Sequence, residues 1–385
     1  MSDVAPISSA RTATTETAPT SGGPRILAIE SSCDETAAAV LDGTRSLLAN
    51  VVHSQVSIHA EYGGVVPELA SRSHVRMIDK VVQDALAQSN TSLEELAGVA
   101  VTQGPGLVGS LLVGLEYGRA LAWSRNLPLL PVHHLEGHLY APFIGRSEGS
   151  AEPGWPFVGL VVSGGHSSLY HCKAPGVYEE LGRTLDDAAG EAFDKISKRL
   201  GLGYPGGATI DRLARSGDPK AFRFPRPMMH SKNYHFSFSG VKTAVGTALD
   251  KEETELTGQR LNDFAASFQA AVVDVLVAKT VDAAEEVGVE RIVLTGGVAS
   301  NSQLRSQLEA AASARGIALV VPPPALCTDN AAMIGAAGYA RLYAAIQAGE
   351  GFDSAHLNAR ASWPLGRRSP LQKPLERGVR RGPKS

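Results

Sequence analysis

Apolar and polar residues alternate along this chain in an order that is used twice. Residues 25–40 run apolar, then small and polar, then apolar again, which predicts a strand, a tight turn and a second strand; residues 156–170 repeat that order. Later in each half a short apolar run ends in glycines and gives way to a helical stretch. In the first half the strand is 98–103, followed by Gly104, Pro105 and Gly106; in the second it is 291–294, followed by Gly296 and Gly297. Helix-period stretches cover residues 67–88, 107–125, 261–287 and 329–346. Helices alternating with strands pack against mixed sheets, so the matched halves predict a duplicated α/β fold with two lobes around a cleft. The expected organisation is a disordered tail over residues 1–24, an N-terminal lobe over 25–150, a C-terminal lobe over 151–350 and a basic, mostly flexible tail over 351–385.

The pairs Gly164-Gly165 and Gly296-Gly297 fall at equivalent places in the two halves. Turns without side chains expose backbone N–H groups that can hold a phosphate, which points to a nucleotide between the lobes. Either pair alone is also what a tight turn requires.

Composition narrows the class. A chain of 385 residues has room for two or three domains and a sizeable core. It contains no unbroken apolar run of the length a membrane span needs. The first 24 residues are rich in Ala, Thr, Ser and Pro and carry Asp3 and Glu16, the pattern of neither a secretory signal nor a transit peptide. Cys33, Cys172 and Cys327 form no disulfide or metal spacing, and a scattered set of three fits a reducing, cytoplasmic compartment. A formal net charge of -3 provides no overall attraction for nucleic acid, so any RNA contact must come from local patches. Residues 222–242 are one candidate, where Arg223, Arg226, Lys232 and Lys242 interleave with Phe224, Tyr234, Phe236 and Phe238. The alternative there is an ordinary loop with half-buried aromatics. Residues 367–384 read as a solvated basic end.

The chemistry concentrates in residues 133–138, His-His-Leu-Glu-Gly-His, together with residues 327–330, Cys-Thr-Asp-Asn. On a helix His134 and His138 are one turn apart on one face, so both imidazoles can reach a single metal ion, and a distant carboxylate such as Asp329 can complete the site. Two surface histidines spaced by chance are the other reading. A metalloprotease would place its general base directly after the first His, where Leu135 stands; Glu136 lies roughly 200° around the helix and points away.

Nine strings in order resemble the bacterial TsaD family: residues 31–36, 63–75, 133–138, 162–166, 186–195, 204–207, 236–243, 296–301 and 327–332. The resemblance runs from about residue 25 to about residue 345. It implies the actin-like ATPase fold of the sugar kinase and heat-shock chaperone type. The implied activity is transfer of a threonylcarbamoyl group from threonylcarbamoyl-AMP to N6 of adenosine 37 in tRNAs that read codons starting with A, with release of AMP. By the same resemblance His134, His138 and Asp329 are the metal ligands, for Fe(II) by preference or for zinc. The adenylate is expected along Val161, Val162, Ser163, Gly164 and Gly165, with Asp194, Gly207, Asp211 and Asn301 as further contacts, Asp211 toward ribose hydroxyls. Asp34 and Glu35, just after the first strand, are candidate catalytic groups, whereas Arg72 and His74 are read equally well as structural. Implied partners are tRNA, a smaller inactive paralogue of the same fold and a P-loop ATPase, with no membrane. A small-molecule kinase or carbamoyltransferase of the same fold is the alternative, and a metalloprotease a more distant one; a scaffold paralogue would lack the triad.

Overall fold

The computed structural model describes residues 23–43, 46–145, 154–348 and 357–368. The expected disordered tail therefore lies, over residues 1–22, outside the described residues, as do residues 369–385 of the basic end.

The first sheet contains β1 (Arg25–Glu30), β2 (Glu35–Asp42), β3 (Ser46–Ser54), β4 (Leu96–Gly104) and β5 (Leu129–His133), in spatial order β3-β2-β1-β4-β5. β1 to β3 form an antiparallel meander, while β4 and β5 join β1 in parallel. The second sheet contains β6 (Phe157–Val162), β7 (Ser167–Ala174), β8 (Val177–Arg183), β9 (Arg291–Thr295), β10 (Ala318–Val320) and β11 (Arg367–Arg368), in order β10-β9-β6-β7-β8-β11. Its first five strands repeat the directions of the first sheet: β6 is antiparallel to β7 and parallel to β9, and β9 is parallel to β10. The duplication expected from the hydrophobic rhythm is present strand for strand, in a two-lobed actin-like fold.

β1 reads Ile-Leu-Ala-Ile over residues 26–29, with every one of these side chains buried, because helices cover both faces of its sheet. Helices Pro67–Gln88 and Val108–Ser124 pack on one face, around Leu27, Ile29, Val99 and Val101. Helix Ala331–Ala348 covers the other and shares a core with Phe157, Val161 and Tyr170 of the second sheet. Among the described residues one helix, Gly258–Val287, is long and apolar enough to cross a membrane, but 83% of its most apolar window is buried inside the fold.

Residues 357–368 depart from the flexible tail expected there. They form a strap that crosses the molecule: the Arg360 N–H donates to the Gln103 carbonyl at 2.8 Å, His133 Nε2 meets the Trp363 carbonyl at 2.7 Å, and β11 pairs in parallel with β8. Trp363 lies between the His133 ring, 4.7 Å away between centroids, and the Arg360 guanidinium, 4.8 Å from its own ring. Buried Leu365 adds an apolar anchor. The bonds to Gln103 and His133 join residues more than two hundred positions apart, so local composition carried no sign of them.

Candidate metal centre and its cleft

β5 ends at His133, whose Nδ1 accepts the Leu135 N–H at 3.1 Å and so caps the short helix His134–Tyr140. That helix carries His134 and His138 on one face, their rings edge to face with centroids 4.9 Å apart. Asp329 precedes helix Ala331–Ala348. The cap of that helix is Asn330, which accepts the Met333 N–H at 3.0 Å, so Asp329 is free of that task. Between the two histidines Gly137 faces Ile334 and Met333; a Cβ there would come within 2.8 Å of Ile334 Cδ1. The missing side chain lets the two helices close and brings Asp329 to the histidines.

Asp329 Oδ1 lies 3.1 Å from His138 Nε2 and 3.6 Å from His134 Nε2. The three ligand atoms all fall within 4.8 Å of one another, the single such group of His, Cys, Asp and Glu among the described residues. Glu30, at the end of β1, lies 3.1 Å from His134 Nδ1 and accepts the Ser32 N–H and the Thr102 hydroxyl. A carboxylate only accepts, so His134 carries a proton on Nδ1, which leaves Nε2 as the atom a cation would engage beside Asp329. His138 Nδ1 is buried without a partner among the described residues, which leaves Nε2 as its engaged atom.

Charge in this cluster is balanced toward a cation. Burial disfavours the His134 imidazolium, yet Asp329 and Glu30 outweigh that and raise it to about 9. Burial also works to raise Asp329, but the His134 and His138 rings hold it far below the ordinary carboxylate range. Two buried carboxylates thus hold a proton on a neighbouring imidazole, and a divalent ion held by His134, His138 and Asp329 would supply that positive charge instead. The donor set fits such an ion. His166 adds an imidazole with its centroid 6.2 Å from that of His134, kept neutral by burial and by the other two histidines, its value lowered to about 4. Glu30 and His166 escaped the sequence reading as site residues; the only signals were their places at a strand end and inside a resembling string.

Around the centre the expected contacts divide. Gly164 and Gly165 are exposed, and a Cβ at either would meet nothing within 4 Å; the same holds at Gly207. Ser163 accepts the His166 N–H at 3.2 Å and shapes that turn. Val161 and Val162 are fully buried, so their side chains serve the core and only end β6 at the turn. Gly296 has φ +94, and a Cβ there would lie 2.2 Å from the Val162 carbonyl, so this turn needs glycine for packing. Asp194 accepts the Gly206 N–H at 2.7 Å; burial, then Asp34, raise its carboxyl. Asp34 and Glu35 are half-buried on the turn from β1 to β2. Burial, then the neighbouring Asp34, push Glu35 up to about 10.

Two expected contacts are engaged elsewhere. Asp211 is 6% exposed, and its carboxylate accepts from the Ser302 N–H, the Ser302 hydroxyl, Gln269 and Arg215. Asn301 caps helix Ser302–Ser313 through the Leu304 N–H at 2.9 Å and donates to Gln269 at 2.7 Å. Together they latch a helix N-terminus.

The 222–242 segment is not a stacking surface. Phe224, Phe236 and Phe238 are in the C-lobe core, Tyr234 bonds to Glu286, Arg226 to Asp274 and Lys242 to Asp187. The aromatics that looked available for bases are the ones that anchor the loop, leaving Arg223 and Lys232 exposed. Glu136 accepts from the Tyr178 hydroxyl at 3.0 Å and from Arg341 at 2.5 Å and is nearly inaccessible, so it does not face the triad as a protease's base would.

The profile of the TsaD family, described as tRNA N6-adenosine threonylcarbamoyltransferase, matches residues 46–336. A relative of that name from Geobacter sp. (strain M21) is 53% identical over 340 residues, covering 88% of this chain and 96% of its own. Another, from Pelobacter propionicus, is 56% identical over 313 residues, covering 81% and 91%. Among solved structures, T. kodakarensis HypF aligns with TM-score 0.56 at 14% identity, over 87% of this chain and 49% of that one, a likeness of fold alone.

Proposed function

The chain belongs to the TsaD family of tRNA N6-adenosine threonylcarbamoyltransferases, and on that premise we propose that His134, His138 and Asp329 hold one divalent metal ion, Fe(II) by preference over zinc, at the centre of the transfer. The substrates are threonylcarbamoyl-AMP and tRNA, and the group passes to N6 of adenosine 37 in tRNAs reading codons that start with A. The observation that carries this reading is the convergence of two Nε2 atoms and one carboxylate oxygen within 4.8 Å beside a glycine turn with open space above it.

Adenine N6 is a weak nucleophile because its lone pair is delocalised into the ring, so the protein's task is to activate the carbamoyl carbon and align the partners. When bound, the metal supplies Lewis acidity to the carbamoyl oxygen. Glu30 keeps His134 in the tautomer and orientation that ligation needs. The exposed Gly164-Gly165 turn offers close backbone approach for the phosphate of the leaving AMP, and Gly207 leaves room beside Asp194 for the nucleoside. Glu35, carrying a proton at neutrality, is suited to stabilise or protonate a departing oxygen, with Asp34 beside it. Asp211 and Asn301 hold helix Ser302–Ser313 at the cleft wall, and in this reading they are further contacts of the adenylate, Asp211 toward ribose hydroxyls.

The same reading places the enzyme in the cytoplasm, working with a smaller inactive paralogue and a P-loop ATPase. The test is His138→Ala: metal content by elemental analysis and threonine incorporation into unmodified tRNA should both be lost. Full activity in a variant that holds no metal would refute the metal's role.

A further inference from the structure

Beneath the turn from β1 to β2 runs a line of buried polar side chains to which the transfer reaction, as derived so far, gives no task. His59, Gln55 and His74 have no exposed surface. The Val66 N–H donates to His59 Nδ1 at 3.3 Å, so the His59 ring proton is on Nε2, which donates to Gln55 Oε1 at 3.2 Å. Gln55 then directs its amide nitrogen to the Ala70 carbonyl at 3.4 Å and to His74 Nδ1 at 3.3 Å. The Thr36 hydroxyl approaches the same Nδ1 at 2.8 Å. His74 Nε2 lies 3.0 Å from the Cys33 carbonyl, and since a carbonyl only accepts, Nε2 is the protonated nitrogen. Each member therefore has one defined orientation, from the start of helix Pro67–Gln88 to the backbone of the turn.

The line ends on that backbone. Three successive carbonyls of the turn are held: Ser32 by the Leu107 N–H at 2.9 Å, Cys33 by His74, and Asp34 by the Gln55 N–H at 3.0 Å. The turn carries Asp34, whose charge acts on Asp194 and Tyr204 of the other lobe. Packing alone would have been served by apolar residues, because a buried polar network is costly unless every member is satisfied. Here the members are satisfied, and what they add is a fixed backbone under Asp34.

We infer that His74 is a positioning residue for the transfer reaction, holding the Cys33–Asp34 turn, and with it Asp34, in place through the Cys33 carbonyl. This rests on the transferase reading but not on the metal ligands, so the two fail separately: His74 variants keep their metal, whereas His138→Ala loses it.

The experiment compares His74→Leu with His74→Gln in the full chain, with its metal and any protein partners present. A glutamine amide can reach the Cys33 carbonyl with a donor; leucine fills the space without one. The expected result is a kcat about 100-fold lower for leucine, as a misplaced reacting group causes, with metal content near that of the parent and a Tm that is lowered but above the assay temperature, and recovery of kcat by glutamine to within about tenfold of the parent. Parental kcat in the leucine variant, or equal losses in two folded variants, overturns the inference. If leucine prevents folding, His74→Asn replaces it: its shorter amide serves the Nδ1 side but does not reach Cys33. Asparagine must then fall well below glutamine, and equality overturns the inference.

Discussion

Glu30 Oε2 stands 3.1 Å from His134 Nδ1, at the point where the central strand of the first sheet meets the helix that begins with His134. Burial works to raise the Glu30 carboxyl, but the adjacent His134 ring more than offsets this and leaves it below its ordinary value. An ionised Glu30 raises the basicity of His134 and fixes its ring. Glu30→Gln keeps the size and removes the charge, and should weaken metal affinity about 10- to 100-fold, measured by competition with a chromophoric chelator. An unchanged affinity would show that the contact is only structural.

Gly137 sets the spacing of the two helices that bring the triad together. In Gly137→Val the new methyls must displace Ile334 Cδ1, which a Cβ alone would meet at 2.8 Å, and Met333 beside it. Overpacking of this kind costs about 1–3 kcal/mol. The midpoint of urea unfolding should fall with its slope unchanged, and metal binding should weaken together with it.

His133 makes the fold sensitive to acid. Burial, together with the charges of His134 and Arg341, lowers its value to about 3 from an ordinary 6.5, although the bond to Trp363 opposes this. Between those two values the unfolded chain binds a proton that the folded one refuses, so stability present above pH 6.5 is lost as the pH falls toward 3. His133→Asn retains a cap acceptor for the Leu135 N–H and does not titrate. Its denaturation midpoint should depend less steeply on pH across that window than the parent's, and parallel curves would remove His133 as a source of the acid sensitivity.

Trp363 fastens the strap. Trp363→Ala removes the ring held between His133 and Arg360 and should cost about 0.5–3 kcal/mol, read by thermal unfolding. Limited proteolysis should cut residues 357–368 sooner in the variant, and an unaltered cleavage pattern would mean that β11 and Leu365 suffice.

The duplicated fold was legible because strand and helix periods are local properties: β1 with β2, β6 with β7 and helix Pro67–Gln88 all lie where the apolar rhythm places them. The one-turn spacing of His134 and His138 was legible for the same reason. What each polar residue does was another matter. Asp211 and Asn301 have the chemistry of ligand contacts, and Phe236 and Phe238 that of base-stacking groups, yet neighbours distant in sequence engage the first two and bury the others. Asp329 meets the histidines as the sequence led one to expect, but the tertiary structure alone decided that Glu30 orients one of them and that residues 357–368 strap the lobes. A side chain's type and spacing are written locally, but whether its hydrogen bonds go to a ligand or to the protein depends on which distant backbone folds against it.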